Sequence, residues 1–252
     1  MDALSTPPLP DLFDAEHQVL QAGRVVYEAG SGTAATPCRH ALGELLTAYE
    51  RLLRETRRLV RRSDRAELEM NQLNLRLQDL AAQLEYRANH DPLTGVLNRG
   101  AIIEQVNRRF ECEDLALIVL DIDHFKRIND NFGHPRGDQV ILGVIACLQA
   151  IVPPFAQIGR VGGEEFTVLL PASGSETSGQ VAEALRQSIE SYVFDLPDGS
   201  GITASFGVSW MPRGSNFDSA YGLADEALYA AKRDGRNRVW LALDGPYRPY
   251  AA

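Results

Sequence analysis

Apolar residues recur at alternating steps of three and four from residue 40 to residue 88, a stretch without proline and with glycine only at Gly43. A repeat of 3.5 residues over this length predicts one long helix that pairs as a coiled coil. The core positions near the middle hold small or polar residues, and we predict that the coiled coil is weak there. Hydrogen exchange as slow in the middle as in the flanks would contradict this prediction. The a positions hold Leu42, Tyr49, Thr56, Ser63, Met70, Leu77 and Leu84, and the d positions hold Leu45, Leu52, Leu59, Ala66, Leu73, Leu80 and Arg87.

Residues 89–245 alternate between strand and helix patterns, which predicts an α/β or α+β domain with helices on the faces of a sheet. The run at 116–123 is apolar until its final acids and favours a buried central strand. Runs at 157–161 and 166–170 flank Gly162 and Gly163, as a hairpin requires. Further patterns predict helices at 138–151, 180–192 and 220–233, strands at 202–210 and 238–243, and a tail at 246–252.

The first 39 residues are too few for an independent domain with a large core. Residues 14–27 are predicted to form a helix that turns into a strand, and residues 28–37 read as a loop. Nothing in this segment suggests catalysis, so we expect it to bind a regulatory protein partner.

Seven arginines lie close together within the predicted long helix. Such a run is either a solvated helix face or a docking face for an acidic partner, and the sequence leaves both open. The arginines are Arg51, Arg54, Arg57, Arg58, Arg61, Arg62 and Arg65.

The chain of 252 residues carries a net charge of −9, which argues against binding to a nucleic-acid backbone. A nucleotide substrate stays possible, because a bound metal ion supplies positive charge locally. No signal peptide and no run of about 20 apolar residues is visible, so we expect a cytoplasmic protein that does not span a membrane. Cys38, Cys112 and Cys147 are widely spaced, which fits a reducing compartment.

Two pairs of acids fall where a strand or a hairpin turns. Asp121 and Asp123 end the apolar run at 116–123, and Glu164 and Glu165 follow the two glycines. Carboxylates at such places can converge on a hard cation such as Mg²⁺, and glycine lets a backbone approach a ligand closely. The plainer alternatives are acids in solvent at a strand end and an ordinary hairpin.

Five motifs occur in a fixed order and together resemble the GGDEF family of diguanylate cyclases, in its GGEEF form, over residues 88–243. The resemblance implies a palm-like sheet, similar to that of nucleotidyl cyclases and some polymerases, preceded here by a helical stalk at 40–88. The motifs are Asp-Pro-Leu-Thr-Gly-Val-Leu-Asn-Arg at 91–99, Asp-Ile-Asp-His-Phe-Lys-Arg-Ile-Asn-Asp at 121–130, Phe-Gly-His at 132–134 with Gly137 and Asp138, Arg-Val-Gly-Gly-Glu-Glu-Phe at 160–166, and Ala-Asp-Glu-Ala-Leu-Tyr-Ala-Ala-Lys-Arg-Asp-Gly-Arg-Asn-Arg at 224–238.

By this resemblance, Asp121 and Glu164 would ligate two Mg²⁺ or Mn²⁺ ions per active site with help from the Ile122 carbonyl, and Glu165 would assist metal binding or catalysis. Asn129 and Asp138 would read the guanine edge, whose N–H groups suit a carboxylate. The triphosphate would be held by Lys126, Lys232 and Arg236 and by main-chain amides near His124 and Phe125, with Gly162 and Gly163 making room for the nucleotide. Lys232 and Arg236 would share one helix face if the helix continues that far.

The resemblance also implies the reaction, in which two GTP molecules condense to cyclic di-GMP and two pyrophosphates. Each domain would bind one GTP, and two domains would meet face to face in a homodimer held by residues 40–88. The competing interpretation is a catalytically silent receptor for GTP or cyclic di-GMP that acts as an interaction protein.

One motif of many family members is missing. An Arg-x-x-Asp site for inhibition by product precedes the hairpin in those members, whereas Pro153 and Ala156 stand at the two positions here. We therefore predict weak or absent product inhibition through that site.

Overall fold

The computed structural model describes residues 13–29, 36–172, 174–242 and 248–250. The chain divides into two compact units, Met1–Ala81 and Ala82–Ala252. Within the described ranges, no helix combines the length and apolar character needed to cross a membrane. Most of the loop expected at 28–37 lies outside the described residues.

The first unit contains helix α1, Asp14–Ala29, and most of helix α2, Thr36–Asn89. The long helix predicted at 40–88 is confirmed. The strand predicted within residues 14–27 is wrong, because α1 stays helical to Ala29. Its inward residues Leu20, Gly23 and Tyr27 recur at helical spacing, and contacts with α2 stabilise the helix along that face.

Helices α1 and α2 run antiparallel. The carbonyl of Phe13 accepts a hydrogen bond from Arg57, and Arg24 forms an ion pair with Glu50 at 2.7 Å. At the other end of α1, the ring of Tyr27 lies against Gly43, where a Cβ would stand 3.0 Å from its hydroxyl oxygen.

Along the stretch of α2 that contacts α1, the a positions of the heptad seam are half-buried and the d positions stay exposed. Leu53, at position e, is buried, and Gly43, Glu50 and Arg57 are at position b. The large aliphatic residues at the d positions, and those at the a positions beyond residue 59, are exposed in the single chain, and the most buried of this set is still 47% exposed. They are Leu45, Leu52, Leu59, Met70, Leu73, Leu77, Leu80 and Leu84.

The second unit is a mixed α+β domain whose described part contains a seven-stranded sheet in the order β1-β3-β4-β2-β5-β6-β7. The strands are β1 Leu97–Asn98, β2 Leu115–Ile122, β3 Gln157–Arg160, β4 Glu165–Pro171, β5 Ala204–Met211, β6 Val239–Ala242 and β7 Arg248–Pro249. The helices are α3 Arg99–Phe110, α4 Phe125–Phe132, α5 His134–Ile151, α6 Ser175–Ser191 and α7 Phe217–Arg233.

Strand β2 is buried along its whole length, as its apolar run predicts. One face, with Ile118 and Leu120, joins a core cluster with α5 and α6. The opposite face, with Leu117 and Val119, joins a cluster with α3 and α7. Helices on both faces therefore explain why the strand shows no alternation between apolar and polar residues.

The hairpin of β3 and β4 forms around Gly162 and Gly163 as predicted, and the other predicted elements of this unit also form. The tail predicted at 246–252 needs correction. Arg248–Pro249 forms β7 and pairs with Leu241 and Trp240 of β6, so this stretch extends the sheet.

Candidate active site

The strand register brings the two acid pairs to one end of the sheet. Asp121, at the end of β2, lies opposite Glu165, the first residue of β4. The amide of Ile122 donates to the carbonyl of Glu164 at 3.3 Å. Residues directly opposite each other in an antiparallel pair have side chains on the same face of the sheet. The acids of β2 and of the hairpin are therefore neighbours.

Burial and like charge disfavour ionisation of Asp121 and Glu164. Burial raises the pKa of Asp121, an effect that Lys232 opposes from 2.9 Å. Burial also raises the pKa of Glu164, and the adjacent charges of Asp121 and Glu165 raise it further. The site thus holds more negative charge than its neighbouring cations neutralise.

The donor set suits a hard divalent cation. Three carboxylates and the Ile122 carbonyl offer only oxygen, the ligand atom that such cations prefer. Among the described residues, no group of three or more acidic, histidine or cysteine side chains is arranged to hold a metal ion by itself. Mg²⁺ usually keeps several waters and takes substrate phosphate oxygens as further ligands.

Asp123 does not join the other acids, although the sequence pairs it with Asp121. Its carboxylate accepts hydrogen bonds from the hydroxyls of Thr203, at 2.8 Å, and Ser205, at 2.7 Å. It also accepts one from the amide of Asn237 at 3.1 Å. With all three donors supplied by the protein, Asp123 connects β2 to two other parts of the domain.

The two residues assigned to guanine come from adjacent helices. Asn129 lies on α4, and its side chain lies against Gly137 of α5, where a Cβ would stand 2.0 Å from the amide oxygen. Asp138 follows Gly137 and is exposed. The close approach at Gly137 therefore places the amide of Asn129 beside the residue that precedes Asp138.

The start of α4 explains how main-chain groups can bind phosphate. His124 precedes the helix in a left-handed conformation with φ of 59°, and it has no side-chain capping bond to the helix. The side chain of Phe125 is buried, so only its main chain is available to a ligand. The amides at a helix N-terminus favour anions, and Lys126 is exposed beside them.

Lys232 and Arg236 do not lie on one helix face, because α7 ends at Arg233. Gly235 and Arg236 take left-handed conformations, with φ of 110° and 64°, and the amide of Arg236 donates to Ala231 at 3.0 Å. Arg236 thus lies in a turn that follows the helix. Lys232 is held in the last turn of the helix.

The two glycines of the hairpin have different surroundings. A Cβ at Gly162 would stand 2.6 Å from a carboxylate oxygen of Glu165, whereas a Cβ at Gly163 would meet nothing within 4 Å. Gly163 therefore leaves open space beside the acids, as a nucleotide would need.

Sequence reasoning gave no role to Asp91 and Arg160, although both lie in the recognised motifs. Arg160 donates to the carboxylate of Asp91 at 3.0 Å and to the carbonyl of Gly163 at 2.7 Å. The start of the domain is thereby connected to the tip of the hairpin. Their positions within the motifs indicated that both residues matter, but the motifs do not reveal that the two side chains contact each other.

The stretch that would carry a product-inhibition site forms a turn before β3. The amide of Ala156 donates to the carbonyl of Pro153 at 2.9 Å, and Phe155 is exposed. These residues supply neither a guanidinium nor a carboxylate at the two positions.

Residues 88–238 match the profile of the family described as diguanylate cyclase, GGDEF domain. The chain therefore belongs to the GGDEF family. It is 42% identical over 162 residues to the diguanylate cyclase DgcP of Pseudomonas aeruginosa, a match that covers 62% of this chain and 24% of DgcP. The chain thus spans about a quarter of the length of that relative.

Two solved structures extend the likeness beyond the cyclase domain. The coiled coil and GGDEF domain of DgcB from Caulobacter crescentus, in complex with c-di-GMP, superposes with a TM-score of 0.66 at 33% identity, covering 70% of this chain and 98% of that one. The diguanylate cyclase SiaD of Pseudomonas aeruginosa, in complex with its activator SiaC, gives 0.60 at 29% identity, covering 90% of this chain and 86% of that one.

Proposed function

We propose that the chain condenses two GTP molecules into cyclic di-GMP and two pyrophosphates, with each domain of a homodimer supplying one half-site. The observation that carries this proposal is the convergence of Asp121, Glu164 and Glu165 at one end of the sheet, with Lys232 beside them. The diguanylate cyclase relatives support the same reaction class.

The acids and the Ile122 carbonyl would hold two divalent cations, Mg²⁺ or Mn²⁺. When bound, these ions would lower the pKa of the attacking 3′-hydroxyl and stabilise charge on the transferring phosphoryl group. Lys232 contacts Asp121 and would therefore lie close to the phosphoryl group. It would bind the triphosphate together with Lys126 and Arg236.

Asn129 and Asp138 would select guanine. A carboxylate at Asp138 accepts from the N1 and N2 donors of the base, and the amide of Asn129 can donate to its acceptors. The close approach of α4 and α5 at Gly137 supports this pairing, because it places the amide of Asn129 beside the residue that precedes Asp138.

A single domain cannot place two GTP molecules so that each 3′-hydroxyl attacks the α-phosphorus of the other. Two domains that face each other can, and positioning of this kind lowers a barrier by about 7–11 kcal/mol. The exposed d residues of α2, and its exposed a residues beyond the contacts with α1, offer a seam for a second copy. We infer a parallel stalk dimer whose register sets the distance between the half-sites.

A regulatory protein that binds the N-terminal half would act on this stalk. The chain resembles SiaD over 90% of its length, and that protein is seen with an activator. The arginines of α2 suit an acidic surface on such a partner. Full activity of the isolated protein, retained after removal of residues 1–88, would exclude this regulation.

Incubation of the purified chain with GTP and Mg²⁺, followed by chromatography, tests the reaction. We expect one cyclic di-GMP for each two pyrophosphates. Glu164→Gln should lower the rate by about a hundredfold or more, because it removes a metal-binding charge. Glu226→Gln, at an exposed position on α7, is the matched control. Absence of product even with a bound partner would leave the silent receptor as the better account.

Cyclic di-GMP added to the same assay tests product inhibition. With Pro153 and Ala156 in place of the arginine and aspartate, we expect turnover to continue unchanged. Strong inhibition by low micromolar product would contradict this.

A further inference from the structure

The turn between α7 and β6 has an unusual backbone. Three consecutive residues, Gly235, Arg236 and Asn237, have positive φ angles of 110°, 64° and 47°. Residues other than glycine disfavour the left-handed region of backbone conformation, so the surrounding contacts must hold the turn in place. The same turn carries Arg236, to which we assign the triphosphate.

Asp123 holds the backbone of this turn. Its carboxylate is buried and accepts from the amide of Asn237 at 3.1 Å. Thr203 and Ser205 donate to the same carboxylate, so its position is determined by the region around the start of β5. One anchor of the turn is therefore a rigid part of the sheet.

The side chain of Asn237 supplies a second anchor, on α6. Its carbonyl oxygen accepts from Arg186 at 3.0 Å, and its amide nitrogen donates to Glu190 at 2.7 Å. Arg186 also forms ion pairs with Glu183 and Glu190, both at 2.8 Å. Arg186 and Glu190 thus hold the amide in one orientation. The hydrogen bond from Arg186 and the one from Asn237 lower the pKa of Glu190.

We propose that Arg186 is a positioning residue for the cyclase reaction. It holds Asn237, and because Asn237 and Arg236 belong to the same turn, it keeps Arg236 in the place where the triphosphate binds. The proposal rests on the proposed function, because it assigns Arg236 to the substrate phosphates. Arg186 itself is occupied by Glu183, Glu190 and Asn237. Its effect on the substrate therefore passes through the turn.

The test measures binding of 3′-deoxy-GTP with Mg²⁺, because this nucleotide lacks the attacking hydroxyl and cannot react. Arg186→Gln should weaken its affinity about tenfold, the scale of a lost hydrogen bond to a charged group. The affinity for GMP, which lacks the two outer phosphates, should not change. Arg108→Gln, which breaks an exposed ion pair with Glu104 on α3, is the control and should leave both affinities unchanged.

A second variant guards against a general loss of folding. Asn237→Gly keeps the amide that Asp123 accepts and tolerates the positive φ, so it removes only the contacts with Arg186 and Glu190. It should reproduce the selective loss of triphosphate affinity. An equal loss of GMP affinity in either variant, or no loss of triphosphate affinity, would overturn the proposal.

The decisive comparison repeats Arg186→Gln in an Arg236→Ala background. If Arg186 acts through Arg236, the second substitution adds no further loss. A full additional loss of triphosphate affinity would show that Arg186 does not act through Arg236. That result would refute the positioning role and leave the proposed function standing. If Arg236→Ala by itself leaves triphosphate affinity unchanged, the assignment of Arg236 in the proposed function fails, and this inference fails with it.

Discussion

Arg160 donates a hydrogen bond to Asp91 across 3.0 Å, between the strand that leads into the hairpin and the residue that follows the end of α2 by two positions. The same guanidinium donates to Gly163 at the hairpin tip at 2.7 Å. One side chain of the GGDEF domain therefore connects the residues that follow α2 to the hairpin tip beside the acids.

Arg160→Lys should slow cyclic di-GMP formation by about tenfold, because the single amine of lysine cannot replace a planar group that bridges two acceptors. Steady-state rates at saturating GTP measure this effect. Arg109→Lys is a control, since the side chain of Arg109, on α3, forms an ion pair with Glu113 away from the acids. A rate equal to that of the unaltered protein would show that the bridge plays no part in turnover.

Glu164→Gln should make the metal-free protein more stable at neutral pH. The pKa of Glu164 is raised in the folded state, chiefly by burial and then by Asp121, so its ionisation opposes folding. A raised carboxyl pKa means that the folded state binds more protons, and stability from this group therefore rises as pH falls. Chemical denaturation from neutral to acidic pH should show the advantage of the variant shrinking.

Addition of Mg²⁺ should reverse that order. An ion that binds only the folded protein stabilises it, and Glu164→Gln removes one of the charges that would bind the ion. We expect Mg²⁺ to raise the melting temperature of the unaltered protein more than that of the variant. Equal shifts in the two proteins would place the metal site elsewhere.

Gly163→Ala should separate stability from substrate binding. A Cβ there meets no protein atom within 4 Å, so the melting temperature should not change. The KM for GTP should rise at least about tenfold, because a small displacement of a reacting group is costly. Gly174→Ala, also in open space but beyond the far end of β4, should leave the KM unchanged; because Gly174 is the N-cap of α6, only the KM is compared. An unchanged KM for Gly163→Ala would mean that the nucleotide does not approach the hairpin tip.

The stalk seam makes a prediction that depends on heptad position alone. Leu77, at position a, and Leu75, at position f, are similarly exposed in the single chain, at 63% and 67%. Leu77→Glu should raise the dimer dissociation constant at least about a hundredfold, because burial of each leucine contributes about 1.5–3 kcal/mol. Leu75→Glu should leave it unchanged in sedimentation equilibrium. Equal effects of the two variants would rule out the proposed seam.

The elements that depend on local pattern could be predicted from the sequence. The long helix follows from its heptads, and β2 follows from an apolar run that is buried on both faces. The continuation of α1 to Ala29 was missed because α1 is held by side-chain contacts with α2, which local periodicity does not reveal.

The supporting contacts of the site depend on residues far apart in the chain. The sequence groups Asp123 with Asp121 as strand-end acids that can converge on a cation, because the two stand two positions apart. Its actual donors are Thr203, Ser205 and Asn237, which are 80 to 114 positions away. Arg236 was placed on a helix by its spacing from Lys232, but the left-handed turn ends that helix earlier. The spacing of residues predicts the helices and strands, whereas hydrogen bonds between residues far apart in the chain determine the conformation at their ends.

Mixed dimers test most directly whether one product requires two intact half-sites. The unaltered protein is mixed with an equal amount of Glu164→Gln and left until the subunits exchange. About a quarter of the dimers are then unaltered, so the account predicts that the rate per unaltered chain falls to about half. A rate per unaltered chain that does not change on mixing would contradict it, because each domain would then form product alone.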